Sequence, residues 1–175
     1  FFKNIRISAV NDFHDDNLYI ESCASKISTT QQRIGKPDKL LFSFHGIPQS
    51  YVCEDEPYQS QCLVTASLIA KKLNLDESNY EVAFQSRFGK AEWIKPYLSS
   101  RLEELPKEGI HNIHVFCPGF SSDCLETIDE IGRESREEFF EHGGKSFEFI
   151  PCLNSEESFI NALMDISKKA DIKIL

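Results

Sequence analysis

The sequence predicts an α/β fold: one three-layer domain with a parallel four-stranded sheet covered on both faces by helices. Three observations lead there. Short apolar runs alternate with longer segments whose apolar residues recur at helical spacing. Gly and Pro punctuate the brief connections between them. Strand–helix alternation with short loops is what a parallel sheet with crossover helices requires. At 175 residues the chain suits a single core, so residues 1–175 are taken as one domain.

The elements follow in order. The chain opens at Phe1-Phe2-Lys3 without Met and enters at once a strand-like run, Ile5 to Val10, so it is read as one half of something larger. Leu18 to Ile34 carries Leu18, Ile20, Ala24 and Ile27 at helical spacing and ends at Gly35 and Pro37. Leu40 to Phe44 is a compact apolar run halted by His45-Gly46-Ile47-Pro48, hence a buried strand and a turn. Gln59 to Leu73 is the next helix, with Cys62, Ala66, Ile69, Ala70 and Leu73 on one face. Tyr80 to Phe84 is a strand and Ala91 to Leu105 a helix, with Pro96 disturbing it. Ile113 to Cys117 is a strand stopped by Pro118-Gly119. Ser122 to Phe140 is the longest helical stretch, closed by Gly143-Gly144. Ser146 to Ile150 and Ser155 to Ala170 are the last strand and helix.

Composition narrows the function classes. Hydrophobic residues make up 41% and aromatics 11%, with 14 Phe, which is a globular composition. A net charge of −9 argues against non-specific nucleic-acid binding. No run approaches the ~18 apolar residues needed to cross a bilayer; peripheral membrane contact is compatible with the chain, but nothing marks it. The six cysteines form no C-x-x-C pair, which fits reduced thiols in a cytoplasmic protein better than a disulfide scaffold or a structural zinc site. G-x-G-x-x-G, G-x-x-x-x-G-K-[ST] and G-x-S-x-G are all missing, so dinucleotide, P-loop and nucleophile-elbow chemistry lack their motifs.

Two segments carry the chemistry. Phe44-His45-Gly46 and Asp123-Cys124-Leu125-Glu126 each follow a buried strand, where an open parallel sheet presents its functional groups. His45, with an ordinary pKa of about 6.5, can exchange a proton near neutrality or ligate a borderline metal; equally, it can cap the strand end by hydrogen bonding. Glu126, Glu130 and Glu134 recur at i, i+4 and i+8, on one helix face. Stacked like charges oppose helix formation, and binding or relaying cations is one reason to keep them. The plainer readings are a capping box, Asp123-x-x-Glu126, and a solvated face for Glu130 and Glu134. Trp93, the only Trp, falls near the same sheet edge and offers either core packing or a flat wall for a planar ligand.

Four ordered motifs resemble those of ferrochelatase (protoheme ferro-lyase): Ser43-Phe44-His45-Gly46-Ile47-Pro48, Gln85-Ser86-Arg87-Phe88-Gly89, Glu92-Trp93-Ile94-Lys95-Pro96, and Pro118 through Thr127. Asp55-x-Pro57-Tyr58-x-x-Gln61-Cys62 and Pro151-Cys152-Leu153-Asn154 agree with the bacterial form. The resemblance spans nearly the whole chain and matches only the C-terminal half of the enzyme, which has two Rossmann-like halves with a porphyrin cleft between them. It implies that ferrous iron is inserted into protoporphyrin IX or coproporphyrin III in the last part of heme biosynthesis. His45 would be the active-site histidine, opposite Glu126 across the porphyrin plane. Glu130 and Glu134 would continue an acidic column outward from Glu126 on a helix that often contains a π-turn, the three with His45 being the candidate metal ligands. Trp93 and Phe120 would line the porphyrin. Cys124 stands where some animal relatives have histidine. Iron is substrate here, no resident cofactor is required, and the [2Fe-2S] cluster of some relatives is not expected without their cysteine-rich extension. The partner implied is the N-terminal half. The competing expectations are a non-catalytic half-domain that binds metal or its missing partner, and a related class II cobalt chelatase.

Overall fold

The computed structural model describes residues 6–53, 55–169 and 171–174. Its main sheet holds four parallel strands in the order β3-β2-β4-β5: β2 (Lys39–His45), β3 (Tyr80–Gln85), β4 (Asn112–Phe116) and β5 (Ser146–Ile150). The predicted sheet is therefore present. Alternation of side chains sorts β2 between two cores. Leu40, Phe42 and Phe44 face helices α1 (Asn17–Ile34), α2 (Tyr58–Lys72) and α6 (Glu157–Lys168), while Leu41 faces α3 (Leu98–Glu104) and α5 (Arg136–Glu141). Phe42 and Phe116 are almost wholly buried, and each such side chain contributes about 1.5–3 kcal/mol.

Helix α1 begins where Asp16 accepts hydrogen bonds from the Leu18 and Tyr19 amides and ends at Gly35, whose φ of 96° suits glycine. The run predicted as the first strand is β1 (Arg6–Ala9), although Ile5 lies outside the described residues. It does not join the main sheet. It pairs antiparallel with a strand absent from the sequence reading, β6 (Asp171–Ile174), in a separate two-stranded ribbon.

Two helices differ from expectation. The helix expected from Ala91 begins only at Leu98. Pro96 cannot donate an amide and biases Lys95 away from helical backbone, and the preceding residues pair elsewhere. Trp93 bridges Pro48, the Ile94 amide donates to the Ile47 carbonyl, and the Gln49 amide donates to the Glu92 carbonyl. Trp93 thus sits on a tethered loop and not on a helix. The long stretch after Ser122 becomes three pieces: α4 (Leu125–Ile128), a π-helical segment (Glu130–Ser135) and α5. The Glu134 amide donates to the Asp129 carbonyl, the i→i+5 pairing of a π turn.

Sheet order reverses at β2: the chain leaves β2 for β3 on one side and returns to β4 on the other. The carboxyl ends of β2 and β4 therefore border the crevice where open α/β sheets place their ligands. Among the described residues no helix is long and apolar enough to cross a membrane.

Candidate active site at the β2–β4 crevice

His45 ends β2 and is half-buried. Its Nδ1 lies 2.6 Å from the Gly46 carbonyl oxygen. A carbonyl only accepts, so Nδ1 is the donor there, and in the neutral imidazole the lone pair then lies on Nε2. The imidazole stands between two aromatic rings, with centroids 6.3 Å from Trp93 and 6.4 Å from Phe120. The Tyr58 hydroxyl donates to the His45 carbonyl at 2.7 Å, which fixes the strand end. Gly46 is closely packed: a Cβ there would meet the Gln85 carbonyl oxygen at 3.0 Å and Trp93 Cε3 at 3.1 Å. Trp93 is buried, and its indole Nε1 has no hydrogen-bond partner. Phe88, 73% exposed, packs edge-on against it at 5.0 Å.

The acidic side of the crevice is built by the loop after β4. The expected capping frame is shifted by one residue. Cys124 is the N-cap, with its thiol toward the Thr127 amide, and Thr127 Oγ1 accepts from the Cys124 amide at 2.9 Å. Asp123 is committed instead to the loop after β5, accepting from the Cys152 amide at 3.0 Å and Asn154 Nδ2 at 2.7 Å. Burial pushes the Asp123 carboxyl up, but the hydrogen bonds from Asn154, Cys152 and Thr127 outweigh it and hold it below the ordinary value. Glu126 then sits in the first turn of α4. Its own amide and the Cys124 thiol, with a smaller pull from His45, hold its carboxyl below the ordinary value. It stays anionic near neutrality, within electrostatic reach of His45.

Glu130 and Glu134 do not stack above Glu126 as an α-helix would stack them, because the π turn widens the spacing. Glu130 turns back to β3: Oε1 accepts from the Ser86 amide at 2.6 Å, and Oε2 from Ser86 Oγ at 2.7 Å and Gln85 Nε2 at 3.4 Å. This clamp holds Ser86 at a φ of 64°, uncommon for a residue with a Cβ. Glu134 is exposed and pairs with Arg133 at 3.0 Å. Glu130, Glu134 and Glu138 share a small cleft with Ser86, Arg87 and Tyr97. Glu138 was not singled out by sequence; burial raises its carboxyl above the ordinary value. Gln85 was also missed in this role, although a Gln closing an apolar strand is a signal that can be looked for.

The structure therefore brings His45, Trp93 and Phe120 together, sets Glu126 within reach, and gives Glu130 and Glu134 different surroundings. Among the described residues, the group whose His, Cys or carboxylate atoms already lie within 4.8 Å of one another is Asp12, His14 and Asp15, on the loop before α1. The candidate ligands His45, Glu126, Glu130 and Glu134 do not form such a preassembled set. Beyond the crevice, Leu125 and Ile128 present apolar surface on α4, 73% and 61% exposed, so the rim is open on that side.

Comparison with known proteins identifies the family of the chain. The ferrochelatase family model matches residues 2–171. A ferrochelatase of Janthinobacterium sp. is 45% identical over 159 residues, covering 91% of this chain and 43% of its own length. That of Teredinibacter turnerae is 46% identical, covering 88% of this chain and 42% of the relative, and that of Aromatoleum aromaticum 47% identical, covering 91% and 44%. The chain thus spans less than half the length of these curated relatives. With a family model matched over almost its full length, the chain belongs to the ferrochelatase family.

Proposed function

We propose that this chain is the C-terminal half of a cytoplasmic ferrochelatase and supplies one wall of its porphyrin cleft. The observation that carries the reading is His45 at the end of β2, its Nδ1 engaged by the Gly46 carbonyl and its ring beside Trp93 and Phe120, with an anionic Glu126 in electrostatic reach. Insertion of ferrous iron into protoporphyrin IX or coproporphyrin III breaks two pyrrole N–H bonds, forms the iron–nitrogen bonds and releases two protons. In the neutral ring Nε2 is the group suited to take a pyrrole proton. Glu126 stays charged and stabilises the resulting imidazolium. Phe120 supplies apolar surface against the macrocycle while the buried Trp93 packs beside His45, and binding energy from that face offsets the bending that turns the pyrrole lone pairs toward the metal. Iron enters as substrate, and the reaction needs no resident cofactor. Glu134, exposed at the outer end, is placed to attract the hydrated cation, while Glu130 is engaged by Ser86.

A second reading has its own support. The exposed Phe88, Leu125 and Ile128 leave the rim of the crevice open, and the relatives are more than twice as long. On that view the half binds its substrates only when joined to the N-terminal half.

The test is porphyrin metallation by Zn²⁺ or anaerobic Fe²⁺, followed in the Soret band. It compares the chain alone with the chain plus the N-terminal half of the Aromatoleum aromaticum relative. Metallation on combination, lost in His45→Ala with porphyrin binding retained, is expected. Retained turnover in His45→Ala would refute the base role.

A further inference from the structure

His45 and the acidic helix come from elements distant in sequence, yet one side chain connects them. Gln85 is 3% exposed at the end of β3. Its main-chain oxygen accepts from the Gly46 amide at 2.9 Å, beside His45. Its side-chain Oε1 accepts from Ser43 Oγ on β2 at 2.7 Å and from the Cys117 thiol, just past β4, at 3.5 Å. Its Nε2 donates to the Glu126 carbonyl at 2.7 Å and to Glu130 Oε2 at 3.4 Å. The amide has one orientation that serves these partners, because a carbonyl and a carboxylate both only accept. The Glu126 carbonyl lies where α-helical pairing gives way to the π segment.

We propose that Gln85 is the positioning residue that sets the acidic helix against His45. Its side chain draws the Glu126 turn and the Glu130 carboxylate onto the sheet edge, and its main chain fixes the turn that carries His45. Ser86 completes the clamp through its amide and hydroxyl. The three-strand arrangement of Ser43, Gln85 and Cys117 makes the anchor rigid, since every member lies in the sheet core. A buried polar group of this kind is retained at a cost only when its partners are met. The role rests on the reading of His45 and Glu126 as the working pair; the hydrogen-bond geometry stands apart from it.

Two variants separate this role from a general contribution to stability. Gln85→Met keeps the volume and removes both polar ends; Gln85→Glu keeps the acceptor toward Ser43 and removes the donor. The readout is amide hydrogen exchange by NMR on the 175-residue chain. The Ser86 amide and those of residues 129–135 should exchange about tenfold faster in both variants, as expected for losing one such bond. The amides of Ile27 and Ala66, in the opposite layer, should stay at their original rates. Equal acceleration everywhere, no acceleration anywhere, or failure of both variants to fold would overturn the local role. In the combined-halves metallation assay, kcat should fall with the porphyrin KM unchanged; a raised KM with unchanged kcat would overturn it as well. If the unmodified chain never metallates porphyrin, that outcome counts against the chelatase reading alone, and the exchange comparison decides the role of Gln85.

Discussion

Gly46→Ala tests how tightly the His45 turn is packed. The added methyl would lie 3.0 Å from the Gln85 carbonyl oxygen, 3.1 Å from Trp93 Cε3 and 3.8 Å from Phe84 Cβ. The first contact is with main chain, and that oxygen is already held by the Gly46 amide at 2.9 Å, so it cannot retreat without losing the bond. Over-packing of this kind costs about 1–3 kcal/mol. Reduced freedom of the unfolded chain returns about 0.4–1 kcal/mol. The net loss is therefore about 1–2 kcal/mol, and at about 2–4 °C per kcal/mol for a chain of this size, Tm should fall by roughly 2–8 °C. Thermal unfolding by circular dichroism measures the loss. Emission of Trp93, the sole tryptophan, reports the local displacement. A Tm equal to or above that of the parent chain would refute the packing argument.

Two carboxylates give pH tests of opposite sign. Burial raises Glu138, so the folded chain holds a proton that the unfolded chain has lost, and stability falls as pH rises from about 4.3 through the raised value. Glu138→Gln should therefore stabilise at pH 7 and do little at pH 4; urea unfolding at both checks this, and equal effects at the two would contradict it. Asp123 is held low, so its contribution is present above about pH 3.9 and is lost as pH falls through the lower native value. Asp123→Asn should lower urea stability at pH 7, and its gap from the parent should shrink as pH falls from about 3.9 through the lowered native value, whereas a gap undiminished in acid would place its role elsewhere.

Much of the fold was legible because its signals are local. Gly35 after Ile34 ends α1 as read from sequence, and the apolar run before His45 is the central strand. The failures are non-local. Nothing near Trp93 announces that it will bridge Pro48, so helical spacing extended too far toward the N-terminus of α3. The partner of β1 lies at the other end of the chain, with Arg6 opposite Ile174, a pairing that no window of sequence contains. At the site, His45 was found because a histidine at a strand end is conspicuous. Gln85 was not, because a polar residue at that position also reads as a strand running into solvent, and only the partners at Ser43, Glu126 and Glu130 distinguish the two.

The acidic column shows what the π segment changes. At α-helical spacing Glu126, Glu130 and Glu134 would be equivalent rungs for a cation, repelling one another. The structure makes them unequal. Glu126 is held by its own amide and the Cys124 thiol near His45, Glu130 is closed on three donors from Gln85 and Ser86, and Glu134 is open to solvent beside Arg133. Hydrogen-bond donors directed at Glu130 compensate its charge without a metal, so a cation at that carboxylate would compete with Ser86 and Gln85 for its lone pairs. The middle rung therefore serves first as a clamp. Because Ser86 opens the loop that carries Phe88 and Trp93, displacing it would also loosen the aromatic wall beside His45. A cation held at Glu130 would in this way be linked to the shape of the aromatic wall through one serine, and linkage of this kind acts in both directions.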